Sequence, residues 1–426
     1  MNIIKKFFEI IFILFFSNKM NLIINNRIKR CKNVIYSYKE VKFIFQILLL
    51  PINAIVNISI CFFKIVAIWI LPTSIYYNIK YLLKQFYSDV CIKKLGLTIA
   101  LKRGYLFLKL IILGRERKVS FGSKNKDKIF FVIRPYFYME KNELATSLSN
   151  LLFHYYRNLQ HLSYAIENNW IPVIDWENYG PFPHQEDYPI NGTTNCWEYY
   201  WNQPSEYTLK EVYESKNVIL SIRNTRDYGF IPSTSITSPF KKYVEQLIQK
   251  CPKYDSYIST NNFTTKYINK WENELFPKNK KILGVSIRGA SYRLKNVPGH
   301  PKQPTVEELI RIIQEKFNEW EMDYIFLACE AQDVINEVKE VFAEKLIVLP
   351  RLRYTKIPGE IYDGKLYNPL YEDGNKFQSN LDYLTEMVLL SKCNSLIAGM
   401  SGGVRMAVIW NAGKYKNIKI FDKGLW

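Results

Sequence analysis

Two stretches of this 426-residue chain carry residue types suited to holding a phosphate. In residues 284–304 (GVSIRGASYRLKNVPGHPKQP), Arg288 and Gly289 directly follow Ser286 and an apolar run that reads as a buried strand. The guanidinium therefore belongs at the strand's carboxyl end. A planar guanidinium there can grip two phosphate oxygens, and Gly289 lets a ligand approach the backbone. Arg293, Lys295 and Lys302 add positive charge to the same loop, while an arginine paired with a carboxylate is the plainer reading. In residues 385–403 (TEMVLLSKCNSLIAGMSGG), a helix leads through a strand into Ser401, Gly402 and Gly403, where the next helix opens. Free N–H groups at a helix start attract phosphate, and Ser401 can donate one more hydrogen bond. Glu386 on the preceding helix can accept from a base or a ribose.

The remaining chemistry-bearing residues have simpler readings. His300, in a Gly-His-Pro loop, reads as a turn cap, and His154 and His161 share one helix face and read as packing or surface residues. The seven cysteines are far apart, with no C-x-x-C pair, which argues against a disulfide framework or a structural zinc site and fits a reducing compartment. Two Asn-x-Thr sequons, at Asn191 and Asn262, would matter only in a secretory compartment.

The elements that must position these residues follow from apolar patterning. Residues 129–133 and 171–176 read as buried strands flanking a helix over 143–168, a β-α-β order that predicts parallel pairing. The aromatic-rich loop 178–203, with its WEYYW run, either packs or offers rings to a sugar. Residues 243–276 read as helix and 277–281 as a hinge. Beyond it, strands are predicted at 282–287, 324–329, 346–349, 395–398 and 416–421, with helices at 306–320, 331–343, 380–391 and from about 402. That alternation is a doubly wound α/β domain, whose ligands bind at strand carboxyl ends.

In their order and separation, the two phosphate-suited motifs resemble the fucosyltransferase superfamily of GT-B glycosyltransferases, which includes the α1,6- and protein O-fucosyltransferases. The stretch IFLACEAQ at residues 325–332 is similar to the family strand that ends in an acidic pair, and GHPKQP and WEYYW look like a bacterial polysaccharide-assembly branch. The resemblance covers about residues 125–426. It implies two Rossmann-type domains facing a cleft: an acceptor-side domain at 121–276 and a nucleotide-sugar domain at 277–426, after an N-terminal extension.

By position, the resemblance implies that Arg288 binds the donor β-phosphate and Ser401 and Gly402 form the terminal phosphate turn. Ser286, Gly289 and Glu330 line the donor, and Glu386 sits near the base. The implied reaction is an inverting transfer from GDP-fucose without metal, and the chain contains no D-x-D, in agreement. Glu143, Asp175 and Glu177 are the candidate bases, with Asp175, at a strand's end, the first choice. Ser286 stands at the family's His position, Ala290 and Ser291 replace Thr-Asp, and Asn394 replaces Asp. These departures keep open a non-catalytic sugar-nucleotide or glycan-binding protein.

Charge adds the last expectation. The chain carries 58 Lys plus Arg against 39 Asp plus Glu, a formal +19, and 48% of its residues are hydrophobic, which excludes a polar disordered chain. Residues 1–120 hold twenty bases and four acids, so +16 of the charge sits there, interleaved with apolar stretches at 7–16, 41–71 and 105–113. Such a segment reads as helical and drawn to an anionic membrane surface, on the cytoplasmic face, with the spanning and surface-lying arrangements both open. The nearly neutral remainder argues against nucleic acid. The implied partners are a nucleotide sugar and an acceptor glycan, with a lipid-linked acceptor as one option.

Overall fold

The computed structural model describes residues 116–134, 150–181, 184–221, 228–233, 235–289, 299–353 and 376–426. The basic segment up to residue 115, Glu143, Ala290, Ser291, Arg293 and Lys295 lie outside the described residues. Residues 114–426 form one compact unit, built on two sheets.

The first sheet contains β1 (Arg117–Val119), β2 (Phe130–Ile133), β3 (Ile171–Ile174) and β4 (Val218–Leu220), in the order β1–β4–β2–β3. β2 is parallel to β3 and to β4, and β1 closes the edge antiparallel to β4. β1 falls inside the stretch expected to be a helical extension, so the folded body reaches back to Arg117. The crossover from β2 to β3 contains α1 (Leu151–Glu167). The short α2 (Leu209–Val212) carries a capping box between Thr208 and Glu211.

The single helix expected over 243–276 is instead three: α3 (Phe240–Lys250), α4 (Pro252–Asp255) and α5 (Asn262–Leu275). Pro252 has no N–H for α3 and sits at the start of α4, where none is needed. Asn261 then caps α5 by accepting from Thr264 N at 2.8 Å.

The second sheet holds β5 (Ile282–Ser286), β6 (Tyr324–Ala328), β7 (Leu346–Ile347), β8 (Ser395–Gly399) and β9 (Asn417–Phe421). All are parallel, in the order β7–β6–β5–β8–β9. Its helices are α6 (Val306–Glu319), α7 (Gln332–Phe342), α8 (Lys376–Lys392) and α9 (Gly402–Asn411). The chain enters at the centre, winds out through β6 and β7, then returns to the other side of β5. The winding reverses between β5 and β8, which is where doubly wound sheets open a crevice at their carboxyl ends.

Side-chain alternation along these strands assigns the two faces. Leu283, Val285, Ile325, Leu327 and Ile397 pack with α6 and α7 residues such as Leu309, Ile313, Val334 and Val338. Ile282, Phe326, Ala328, Leu396 and Ala398 point the other way, into a core containing residues of α1, α8 and α9. That core also takes Phe131, Ile133 and Ile174 from the first sheet, so one apolar layer lies between the two sheets. The WEYYW rings are part of it. Trp197, Tyr199, Tyr200 and Trp201 are buried, with Trp197 and Trp201 ring centroids 4.5 Å apart, so they pack and present no platform to a sugar.

His154 and His161 are both buried on α1. His161 Nδ1 meets the Tyr228 hydroxyl at 3.3 Å, and burial, with Arg157 and Arg134 nearby, drives its pKa from 6.5 to about 3. The unfolded chain protonates this ring near pH 6.5, whereas the folded chain does not until about pH 3. Acid therefore favours unfolding: the group's stabilisation is complete above pH 6.5 and falls toward pH 3, by up to about 1.4 kcal/mol per pH unit. Urea midpoints of His161→Phe should fall less steeply than wild type between pH 6.5 and pH 4, and parallel slopes would contradict this.

Candidate functional site

Where the winding reverses, the ends of β5 and β8 bring Ser286, Arg288 and Gly289 alongside Ser401 and Gly402. Gln303 bridges the two strand ends: its Oε1 accepts from Arg288 N at 3.3 Å and its Nε2 donates to Met400 O at 3.0 Å. Ser401 Oγ accepts from Val404 N at 3.2 Å and caps α9, so Gly402 and Gly403 form the first turn. The start of α1 reaches the same place. Asn150 caps α1 through Phe153 N at 2.9 Å, and a Cβ on Gly402 would lie 3.5 Å from Asn150 Nδ2. The positive ends of two helices thus converge beside Arg288.

Arg288 is about a quarter exposed, at 26%, and its Nε stands 3.5 Å from Glu330 Oε1. A long, partly solvated pair of this kind contributes little to stability. His300 lies close by, and burial together with Arg288 holds its imidazole below the usual range. Gly289 serves a different end from the one expected. A Cβ there would sit 2.4 Å from Ala331 Cβ, so its missing side chain lets the β5 and β6 ends abut.

Two expected roles change. Glu386 is buried and meets neither solvent nor an open cleft: Arg351 donates to its two oxygens at 3.1 and 2.7 Å, and Arg353 donates at 3.2 Å. Burial pushes its carboxyl up, against the pull of both guanidiniums. The carboxylate expected to read a base or ribose is an arginine anchor instead.

Asp175, the first choice for the base, is fully buried. It accepts from Asn178 N at 2.9 Å, Glu177 N at 3.1 Å, the Asn178 side chain at 3.0 Å and the Tyr213 hydroxyl. An Asp at a strand end with Asn three residues on folds a turn onto itself, which removes it from contact with an acceptor. Of the other two candidates, Glu177 is exposed and accepts from Thr194 Oγ1 at 2.7 Å.

Gln303, Arg351, Arg353, Asn150 and Tyr383 join the site without having been singled out by the sequence. Tyr383 sits on α8 against the start of α9: a Cβ on Gly403 would fall 2.5 Å from its hydroxyl and 2.7 Å from Met387 Sδ. Gly403→Ala must displace the Tyr383 hydroxyl and the Met387 thioether from this buried contact. It is expected to cost about 1–3 kcal/mol in urea unfolding, as overpacked cores do, and an unchanged midpoint would refute the tight contact.

A groove of about 640 Å³, lined in part by Lys281, Asn394, Trp410, Lys414 and Lys416, lies at the amino ends of β5 and β8. It is on the opposite edge of the sheet from Arg288. Among the described residues no cluster of three metal-ligating side chains occurs, and no helix is long and apolar enough to cross a membrane. Cys196, Cys251, Cys329 and Cys393 are buried free thiols.

No family model and no curated protein sequence matches the chain. Among solved structures it is similar to NodZ α-1,6-fucosyltransferase soaked with GDP-fucose, at 15% identity over 66% of this chain and 92% of that one, with a TM-score of 0.36. It is similar to fucosyltransferase NodZ from Bradyrhizobium at 13% identity with the same coverages and score. It is also similar to apo POFUT1, at 10% identity over 70% of this chain and 99% of that one, with a TM-score of 0.36.

Proposed function

We propose that this chain is a glycosyltransferase that takes its donor, a nucleotide sugar, at the carboxyl ends of β5 and β8. The observation that carries the reading is the placement of Arg288 beside the capped start of α9, at the winding reversal of an all-parallel sheet. GDP-fucose is the first donor to test, on the motif resemblance of residues 282–403.

In this reading residues 277–426 bind the donor and residues 121–276 present the acceptor. The acceptor oxygen attacks the anomeric carbon, the bond from that carbon to the diphosphate oxygen breaks, and the hydroxyl proton passes to a base. Negative charge builds on the leaving diphosphate. Arg288 and the α9 N-terminus stabilise it there, which is where preorganised charge has most effect. Ser286, Glu330, Ser401 and Gly402 shape the pocket around that group. The basic N-terminal segment would hold the enzyme against anionic lipid on the cytoplasmic face, near a glycan acceptor or its lipid-linked precursor.

A second reading is favoured by the enclosure of Asp175: a subunit that binds a nucleotide sugar or glycan without transferring it. Incubation of the full-length protein with GDP-fucose and other nucleotide sugars separates the two. The transferase releases nucleoside diphosphate steadily, with water taking the place of the acceptor hydroxyl and free sugar as the other product, and Arg288→Ala does not. Binding without release selects the second reading, and neither binding nor release removes both.

A further inference from the structure

The buried ion cluster beside Arg288 is more than that arginine needs for itself. Glu386, Arg351 and Arg353 have side chains that are 1%, 4% and 5% exposed, respectively. Uncompensated charge at such depth is costly, so each of these groups is held by specific partners. Arg353 does most of the tying. Its Nε donates to Cys329 O at 3.1 Å, its Nη1 to Arg351 O at 3.2 Å, and its Nη2 to Leu349 O at 2.8 Å and to Glu386 Oε1 at 3.2 Å.

Cys329 is the residue just beyond β6, and of the two that follow it one faces the donor arginine and the other its neighbour Gly289. Glu330 faces Arg288 Nε at 3.5 Å. Ala331 abuts Gly289 so closely that no side chain fits between them, and a Cβ on Gly289 would also lie 3.4 Å from Cys329 Sγ. The end of β6 therefore carries the end of β5 with it.

We infer that Glu386 and Arg353 are positioning residues for Arg288: Glu386 holds Arg353, Arg353 pins the end of β6 at Cys329 O, and that strand end sets the place of Glu330 and Arg288. The inference rests on the donor-site reading above. It also accounts for the arginine pair, which lies on irregular chain between β7 and α8.

The test is a mutant cycle on the full-length protein, read as kcat/KM for the nucleotide sugar that wild type turns over and as its dissociation constant. Arg288→Lys serves as the second background, because it keeps a cation but loses the two-pronged grip. Glu386→Gln and Arg353→Lys should each lower donor affinity and kcat/KM at least tenfold when Arg288 is present. In the Arg288→Lys background each should lower them less than threefold, since there is no longer a fork to position. A role confined to stability would give equal losses in both backgrounds and would overturn the inference, as would wild-type affinity in both variants. The two substitutions differ in which link they break, so if one fails to fold the other still decides. If wild type binds no nucleotide sugar, the donor-site reading itself fails, and the inference falls with it. Wild-type binding that the variants leave untouched sinks the positioning role alone.

Discussion

Arg288→Ala is expected to lower affinity for the donor about 100-fold or more while leaving the fold intact. Two charge-assisted hydrogen bonds to a phosphate are together worth about 3–5 kcal/mol, and each 1.4 kcal/mol is a factor of ten. The part of the stability loss that comes from the Glu330 pair should be small, under about 1 kcal/mol, because Glu330 is 3.5 Å away and Arg288 is partly solvated. Isothermal titration and urea unfolding of the same preparations give both quantities. A variant that binds donor as tightly as wild type would remove Arg288 from the site, and one that unfolds several kcal/mol earlier would make it structural. Arg288→Lys should fall between the two, since a lysine supplies the charge without the planar fork.

Arg351→Met should show the opposite profile, a large loss of stability. The substitution leaves Glu386, 1% exposed, with Arg353 as its remaining ionic partner among the described residues. Breaking a buried pair from one side costs about 3–5 kcal/mol, because the remaining charge is stranded away from water. The contact retained by Arg353 puts the expected value near the low end, about 3 kcal/mol. Removing Glu386 as well, as in Arg351→Met with Glu386→Leu, should recover little, since Arg353, 5% exposed, then becomes the stranded charge. Equilibrium urea unfolding decides it. A single variant within about 0.5 kcal/mol of wild type would mean that the pair contributes nothing in solution.

The fold was largely readable because its signals are local. β5, β6 and β8 are short runs of buried apolar residues, and the helices between them announce themselves with caps such as Thr305 and Glu308, which bond each other's backbone at the start of α6. Arg288 follows β5 and Ser401 opens α9 for the same reason, since a residue just past a parallel strand has few other places to be. The division of residues 243–276 was less visible. The apolar period continues across Pro252, and only the proline and the capping Asn261 mark the breaks.

What escaped the sequence depends on contacts between distant segments. Arg351 and Arg353 lie on irregular chain without a period, and their partner Glu386 is more than thirty positions away, so nothing local marks them as one unit. The contact between Asn150 and Gly402 joins two helix starts from different sheets, which only the packing of α1 against α9 brings together. Asp175 did have a local signal. Asn178, three residues on, is the partner that an aspartate-initiated turn needs, so the Asp-x-x-Asn spacing describes a turn where position at a strand's end alone suggested a base.

The central claim is that the reversal point of the second sheet holds a nucleotide sugar. Its most direct measurement is a calorimetric titration of the full-length protein with GDP-fucose and a panel of other nucleotide sugars. Saturable one-site binding of at least one of them, with a dissociation constant of about 1–100 μM that Arg288→Ala weakens about 100-fold or more, is the predicted result. A folded protein that binds none of them, or binds one equally well without Arg288, would contradict it.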